Sequence, residues 1–349
     1  MLKRSNHRLS VWMLVYLFFP LFYFILASFQ TSQTDIDVSA MSLFEVQSIL
    51  GNEQKMSRPT ELGSAEIGKS LVLKGFANMD GVNSKPVSKF FVCATCHNQV
   101  KEFQYPSMYS PEDRLSYAMS QDIPFLQGSS FYGIVNRTQF FNGDYEKKYG
   151  NEDDFSEARK NLRNAIQFCS KHMSRGRKLN EIEIESILKY FWTLDLKIKD
   201  LQLNSEELTQ LQKSVDNGKP DVVIMQMLDR KYVKNFSATF LPIPSFSSEI
   251  LNSKEINLDQ GKFIFERACM HCHEKGNYSF YHLDRSKMTF KHLEQAARSE
   301  NYIFSMFYLV REGLEPRKGH QSHMPLFTAE RMSPQQLNSL YAYVYSVSR

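Results

Sequence analysis

Apolar positions recur with a helical period in several parts of the chain, and these stretches predict its main helices. A residue suited to the helix N-cap, such as Asn180 or Ser333, precedes most of them. The stretches are residues 63–77, 155–168, 181–196, 257–268 and 333–347. Two shorter amphipathic helices are predicted within residues 201–235. Because no strand-rich region is evident, the predicted fold class is mostly α.

Four of the five cysteines fall in two copies of one short motif, Cys-x-x-Cys-His. This spacing is typical of c-type haem attachment, because two thiols on one turn add to the two vinyl groups of a porphyrin. The adjacent His then binds the iron on its proximal face. The residues assigned to two covalent haem c groups are Cys93, Cys96, His97, Cys269, Cys272 and His273. A zinc site is not favoured, because it would bring its Cys-x-x-Cys pairs close together in sequence.

The two motifs divide the chain into two similar units. In each unit a helix precedes the motif, further helices follow, and a closing helix ends the unit. The sequence therefore predicts two cytochrome c-like haem domains in tandem, at residues 63–200 and 251–349. Residues 31–62 are polar and predict a linker. Residues 201–250 predict a helical connector that ends in a Pro- and Ser-rich stretch.

The N-terminus, residues 1–30, has the pattern of a signal or a membrane anchor. Three basic residues precede residues 11–28, which carry no charge. This run is about long enough to cross a bilayer as a helix of ~17 to 25 residues. We favour an uncleaved anchor over a cleaved signal. Either would place the rest of the chain outside the cytoplasm, in the periplasm, where c-type haem is attached.

The charge of the chain bears on its partners. The net charge is +4, and acidic and basic residues are interspersed without a long basic run. This pattern argues against nucleic acid as a partner. With two haems expected, the predicted partners are redox proteins such as other cytochromes or membrane electron-transfer complexes.

The second axial ligand of each haem comes from the region before the closing helix. In the second unit the candidate is Met324, because Met-Pro in a loop is where a small cytochrome c places its methionine. A methionine ligand raises the haem potential. His320 and His323 are rival ligands in the same loop.

In the first unit two side chains compete for the same axial position. Cys169 follows a helical stretch, and Met173 lies one turn further on. Met173 is the choice by analogy with the second unit. Cys169 is supported by a basic neighbourhood that would favour a thiolate. That neighbourhood comprises Lys171, Arg175, Arg177 and Lys178.

The first unit resembles a known family in this region. Arg163 and Ile166 precede Cys169, and Gly176 follows it, in an order similar to that of the thiosulfate dehydrogenases and a related sulfur-oxidising cytochrome subunit with a cysteine-ligated haem. Residues 124–138 also resemble the segment that precedes this pattern in the family.

The resemblance covers about residues 85–195 and implies that Cys169 is the distal ligand of the first haem. It also implies an anion-binding arginine, for which Arg137 and Arg163 are the candidates. The chain departs from the family beside the second distal methionine, where His323 stands in place of the family's lysine.

Two functions follow from these observations. The first is electron transfer alone, with two haems of different ligation. The alternative is an oxidoreductase that interconverts thiosulfate and tetrathionate at the first haem, where Cys169 takes part in the sulfur chemistry and Arg137 or Arg163 holds the anion. A dihaem peroxidase ranks last, because the sequence lacks an Arg-Thr-Pro-Ser-type segment.

Overall fold

A computed structural model describes residues 37–51, 57–79, 81–244, 246, 251, 253–299, 305–314 and 323–349. Residues Val38–Arg349 form one compact unit. The predicted anchor at residues 11–28 lies outside the described residues. Across the described ranges, no helix combines the length and the apolar character needed to cross a membrane.

About half of the described residues are helical and few lie in strands, which agrees with the prediction of a mostly α fold. The tandem arrangement of two haem domains stays a prediction. The α-helices are α1 (Leu43–Ile49), α2 (Ala65–Lys74), α3 (Cys93–Cys96), α4 (Pro111–Gln121), α5 (Tyr145–Tyr149), α6 (Phe155–Ala158), α7 (Leu162–Phe168), α8 (Glu181–Trp192), α9 (Ser205–Asn217), α10 (Val222–Asp229), α11 (Leu258–Ile264), α12 (Met270–His273), α13 (Lys287–Arg298), α14 (Met306–Glu312) and α15 (Pro334–Ser348). Two π-helical turns, Cys169–Met173 and Phe265–Cys269, continue α7 and α11. Short 3₁₀ turns occupy Val38–Ala40, Ile134–Asn136 and Ile198–Asp200. A two-stranded antiparallel hairpin joins β1 (Asn78–Met79) to β2 (Val82–Asn83).

The closing helices of both units begin at the N-cap residues predicted from the sequence. The Asn180 side chain accepts from the Glu183 N–H at the start of α8, and Ser333 accepts from Gln336 N–H at the start of α15. In both cases the third helical residue reaches back to the cap backbone, which completes a capping box. Helix α2 ends at Gly75, which adopts a left-handed conformation (φ 77°) that suits glycine.

The same helix crossing occurs in both halves of the chain. Helix α2 packs on α8, and α11 packs on α15. Each crossing is tightest at a glycine: a Cβ atom at Gly68 would overlap the Ser186 carbonyl, and one at Gly261 would overlap the Ser339 carbonyl. The first and closing helices of each half therefore approach to backbone contact.

The buried apolar side chains form three main clusters. One surrounds the first crossing, and one surrounds the second and also takes Leu115, Ala118 and Phe125 from the α4 region. The third joins the α1 region to α9 and α10, with Leu43 and Leu211 fully buried. The stretch predicted as a linker at residues 31–62 thus contains a packed helix. The contribution of α4 to the second cluster shows that the cores are not separated at residue 200.

We predict that Gly68→Ala destabilises the protein. In an uncrowded helix this change would stabilise by about 1 kcal/mol. Here the added methyl group overlaps the Ser186 carbonyl, and overpacking of this kind costs about 1 to 3 kcal/mol. The direction of the change in stability is measured as the shift in Tm. Lys69→Ala, at an exposed neighbouring position on the same helix, is the matched control. A Tm equal to or above that of the wild type would contradict the tight crossing.

Candidate haem sites

A cavity of about 260 Å³ lies beside the first motif. Cys93, Cys96 and His97 line it, and so do Cys169 and Met173. The structure thus brings together both thiols, the proximal histidine and both candidate distal ligands of the first motif. We call this space the first-motif cavity.

His97 is held in a fixed orientation at the wall of the first-motif cavity. Its Nδ1 donates to the Ser129 carbonyl (2.6 Å), and its ring stacks on Phe131 with 4.5 Å between centroids. A Cβ atom at Gly128 would overlap the imidazole, so only glycine leaves room for it. Because Nδ1 carries the proton, Nε2 keeps its lone pair, and a backbone acceptor on the other nitrogen is typical of metal-binding histidines. Burial lowers the pKa of His97 to about 4, which keeps the imidazole neutral.

His273 of the second motif has an equivalent support. Its Nδ1 donates to the Tyr281 carbonyl (2.7 Å). The segment that provides this carbonyl is tied to the motif, because the Ser279 N–H donates to the Cys272 carbonyl (2.9 Å) and the Leu283 N–H to the His273 carbonyl (2.8 Å). Burial lowers the pKa of His273 as well. Both motif histidines therefore have Nε2 available for a metal.

The two motifs lie against each other. The His271 side chain of the second motif lies near the Thr95 and Ala94 carbonyls of α3, which partly offset the lowering of its pKa by burial. Its buried Nε2 has no hydrogen-bond partner among the described residues. Tyr278 packs beside His271 with the two rings tilted by 45° (5.6 Å between ring centroids), and its hydroxyl lies near Thr95. The short helices that carry the motifs are thus neighbours in space.

Cys169 begins a π-helical turn that extends to Met173. The turn is fixed by its own polar groups, because the Ser174 N–H donates to the Cys169 carbonyl (2.9 Å) and the Ser174 hydroxyl to the Ser170 carbonyl (2.8 Å). Burial raises the pKa of the Cys169 thiol to about 12, and the nearby Cys93 thiol adds to this effect. In this setting only a metal would hold Cys169 as a thiolate.

Two of the four basic residues expected to favour the Cys169 thiolate are bound to carboxylates instead. Lys171 forms an ion pair with Asp154, and Arg177 forms one with Glu183 (2.5 Å). They follow Cys169 in the sequence, but their charges are directed away from it. His172, on the same turn, donates from Nε2 to the Asp154 carboxylate (3.0 Å) and is not part of the cavity lining.

The two candidate anion-binding arginines have different positions. Arg163 lies outside the first-motif cavity, because its Nε donates to Glu185 (2.5 Å). Arg137 lines the cavity, where it donates to the Ser129 hydroxyl (2.6 Å) and the Ser130 carbonyl (2.7 Å). No carboxylate forms an ion pair with Arg137 in the described part of the chain. Burial lowers its pKa to about 10, so it stays a cation at neutral pH.

A buried charge network behind His97 has no signal in the local sequence. Arg331 donates to Glu102 (2.7 Å) and to the Gly128 carbonyl (2.6 Å). Arg114 reaches the same carboxylate (3.3 Å) and also donates to the Leu126 carbonyl (2.6 Å). Burial raises the pKa of Glu102, but Arg331 and Arg114 outweigh it and lower that pKa to about 2. The network fixes the segment that carries Gly128 and Ser129.

Met324 lies in a short backbone bridge at the edge of the first-motif cavity. It exchanges two hydrogen bonds with Leu314 (2.8 and 2.9 Å), and its residue contributes to the cavity lining. Its role as the distal ligand opposite His273 stays a prediction. The rival His323 has both ring nitrogens on carbonyl oxygens, those of Leu314 and Met173 (3.0 Å each). His320 lies outside the described residues.

One protein family matches part of the chain. Residues 256–344 fit the family model described as "Cytochrome C oxidase, cbb3-type, subunit III". This part of the chain is a cytochrome c domain. It contains Cys269–His273 and Met324, and it implies a covalently bound haem c with iron and haem-based electron transfer. No curated protein and no solved structure gives a significant match to the chain.

We predict that Gly128→Ala disturbs the iron ligation at the first motif while leaving that at the second unchanged. The added methyl group displaces the His97 ring from the Ser129 carbonyl and from Phe131. Electron paramagnetic resonance (EPR) of the oxidised protein should show one altered ferric signal. Gly218→Ala strains a left-handed residue (φ 60°) at an exposed helix end with nothing near its Cβ position, so it controls for destabilisation without a change at His97. Unchanged signals in Gly128→Ala would contradict this account of the cavity.

Proposed function

We propose that this protein is a dihaem c-type cytochrome that transfers electrons outside the cytoplasm. The observation that carries the proposal is the equivalent support of two motif histidines: His97 and His273 each donate from Nδ1 to a backbone carbonyl, and each follows a Cys-x-x-Cys pair. The second motif lies in the cytochrome c domain. The first has the same donor set and, in addition, a cavity with a candidate distal ligand.

The repeated helix crossing supports two haem domains in tandem. Gly68 on Ser186 and Gly261 on Ser339 have the same place in each half, between the helix before the motif and the closing helix. A shared architecture explains why both motifs are preceded and followed by the same elements. We call the haem of the first motif haem one and that of the second haem two.

The contact between the motifs supports direct electron exchange between the two haems. The thioether bonds join each haem edge to its motif, and the motif helices α3 and α12 meet at Thr95 and His271. The attached haem edges are therefore brought towards each other. Methionine ligation raises a haem potential, whereas a thiolate donates electron density to the iron. Electrons would thus move from haem one to haem two.

Location and partners complete the proposal. Residues 11–28 form an N-terminal anchor that tethers the protein to the inner membrane, with the haem domains in the periplasm. The partners are redox proteins, such as other cytochromes or membrane electron-transfer complexes, that accept electrons from haem two.

We expect the mass of the intact protein to show two covalent haems. The double variant Cys93→Ala with Cys96→Ala should lose one of them, and Cys269→Ala with Cys272→Ala should lose the other, because each motif holds its own porphyrin. Cys169→Ala is the matched control and should keep both, since its thiol is outside either motif. A wild-type mass with a single haem would refute the dihaem proposal.

A second candidate function is the oxidation of thiosulfate to tetrathionate at haem one. The supporting observation is the cavity itself, which presents Cys169 together with Arg137, a partly buried cation that has no carboxylate ion pair among the described residues. Two thiosulfate ions would form one tetrathionate and release two electrons, one for each haem. Arg137 would hold the anion, whereas the charge of Arg163 is already paired with Glu185.

The thiosulfate hypothesis predicts that thiosulfate rapidly reduces the oxidised protein, seen as the appearance of the haem α-band. Arg137→Gln should slow this reduction by about tenfold or more, because a charge-assisted hydrogen bond contributes about 1.5 to 3 kcal/mol. Cys169→Ala should abolish it, and Arg163→Gln is the control that should leave it intact. Absence of reduction in the wild type, where ascorbate does reduce the haems, would leave electron transfer as the sole function.

A further inference from the structure

One histidine connects the distal sides of the two haem sites. His323 directly precedes Met324. Its Nδ1 lies 3.0 Å from the Leu314 carbonyl oxygen, in the loop of the second domain. Its Nε2 lies 3.0 Å from the carbonyl oxygen of Met173, at the end of the turn that begins with Cys169. The two carbonyls come from chain segments that are far apart in sequence, and a single rigid ring spans them.

The ring of His323 has little freedom to move. Phe91 packs against it with 5.0 Å between ring centroids, and Phe90 lies 6.4 Å away on the same segment. Phe91 lies two residues before Cys93 of the first motif and lines the first-motif cavity. Each ring nitrogen lies 3.0 Å from a carbonyl oxygen, and the one that carries the proton donates to its carbonyl. With Phe91 packed against the ring as well, the imidazole has little room to rotate.

The same segment also reaches the proximal side of the first-motif cavity. Eight residues after His323, Arg331 donates to the Gly128 carbonyl, beside the ring of His97. Residues 323–331 therefore contact the distal turn at one end and the proximal support at the other. They also line the cavity between these two contacts, through residues such as Leu326 and Thr328.

We propose that residues 323–331 couple the two haem sites, and that His323 is the positioning residue that ties Met324 to the Cys169–Met173 turn. This inference rests on the proposed function, with Met324 as the distal ligand of haem two. A displacement of Met324 passes through one peptide bond to His323, and through its ring to the Met173 carbonyl. Because Cys169 and Met173 belong to one hydrogen-bonded turn, the Cys169 sulfur moves with it.

The coupling has a functional consequence. If Met324 binds the iron of haem two, a shift of Met324 on reduction of that haem would move His323 and the Cys169–Met173 turn, and with it the distal ligand of haem one. Such a link would adjust haem one each time haem two is emptied or filled.

The test compares the EPR spectrum of ferric haem one in two states, with haem two oxidised and with haem two reduced. Haem two is reduced first, because methionine raises its potential. We expect the g-values of haem one to shift between these states in the wild type. The shift should disappear in His323→Ala and persist in His292→Ala, an exposed histidine on α13. His323→Gln, which can still donate to one carbonyl, serves as a second variant if His323→Ala folds poorly.

The outcomes separate the coupling from simpler explanations. A purely electrostatic effect between the haems would give the same shift in the wild type and in both His323 variants, and this result would overturn the proposal. A wild type with no shift would also overturn it. Failure of the dihaem proposal is distinguishable, because it shows as one haem by mass before any variant is compared.

Discussion

The hydrogen bond from His97 Nδ1 to the Ser129 carbonyl is the interaction on which the first-motif cavity depends. It fixes which nitrogen faces the cavity and the plane of the ring. The carbonyl can do this only if its segment is rigid, and the absence of a side chain at Gly128 is what lets the ring approach. The chain secures this segment with Arg331, whose buried charge is in turn balanced by Glu102. Removing one partner of a buried ion pair costs about 3 to 5 kcal/mol, so this support is firm.

Local patterns in the sequence predicted the helices around both motifs and the chemistry of the second motif, but not the longer helices α4 and α13. The caps at Asn180 and Ser333 form as predicted, because a cap depends on residues only three positions apart. The match of the second half to a cytochrome c family agrees with the Cys-x-x-Cys-His spacing. Helix α1 was missed, because seven residues give too few turns for a period to stand out in a polar stretch.

The rest of the site depends on contacts between distant parts of the chain. Two arginines near the candidate cysteine looked equivalent, and only the fold shows that Glu185 pairs with Arg163 while Arg137 faces the cavity. Lys171 and Arg177, which follow Cys169, were expected to favour its thiolate. They form ion pairs with Asp154 and Glu183 instead. No pattern in the sequence indicates which basic residue each of these carboxylates pairs with. The ion pairs formed in the folded protein therefore determine which of these basic side chains can face the cavity.

The position of Arg331 near the end of the chain bears on the order in which the protein is completed. Synthesis runs from the N-terminus, so Cys93–His97 emerges long before Arg331 does. Until then Glu102 has only Arg114 as a cationic partner, and the segment behind His97 lacks one of its anchors. The motif that is translated first thus gains its finished pocket last. The first half therefore depends on Arg331 of the second half to complete its cavity, and the two halves are not interchangeable modules.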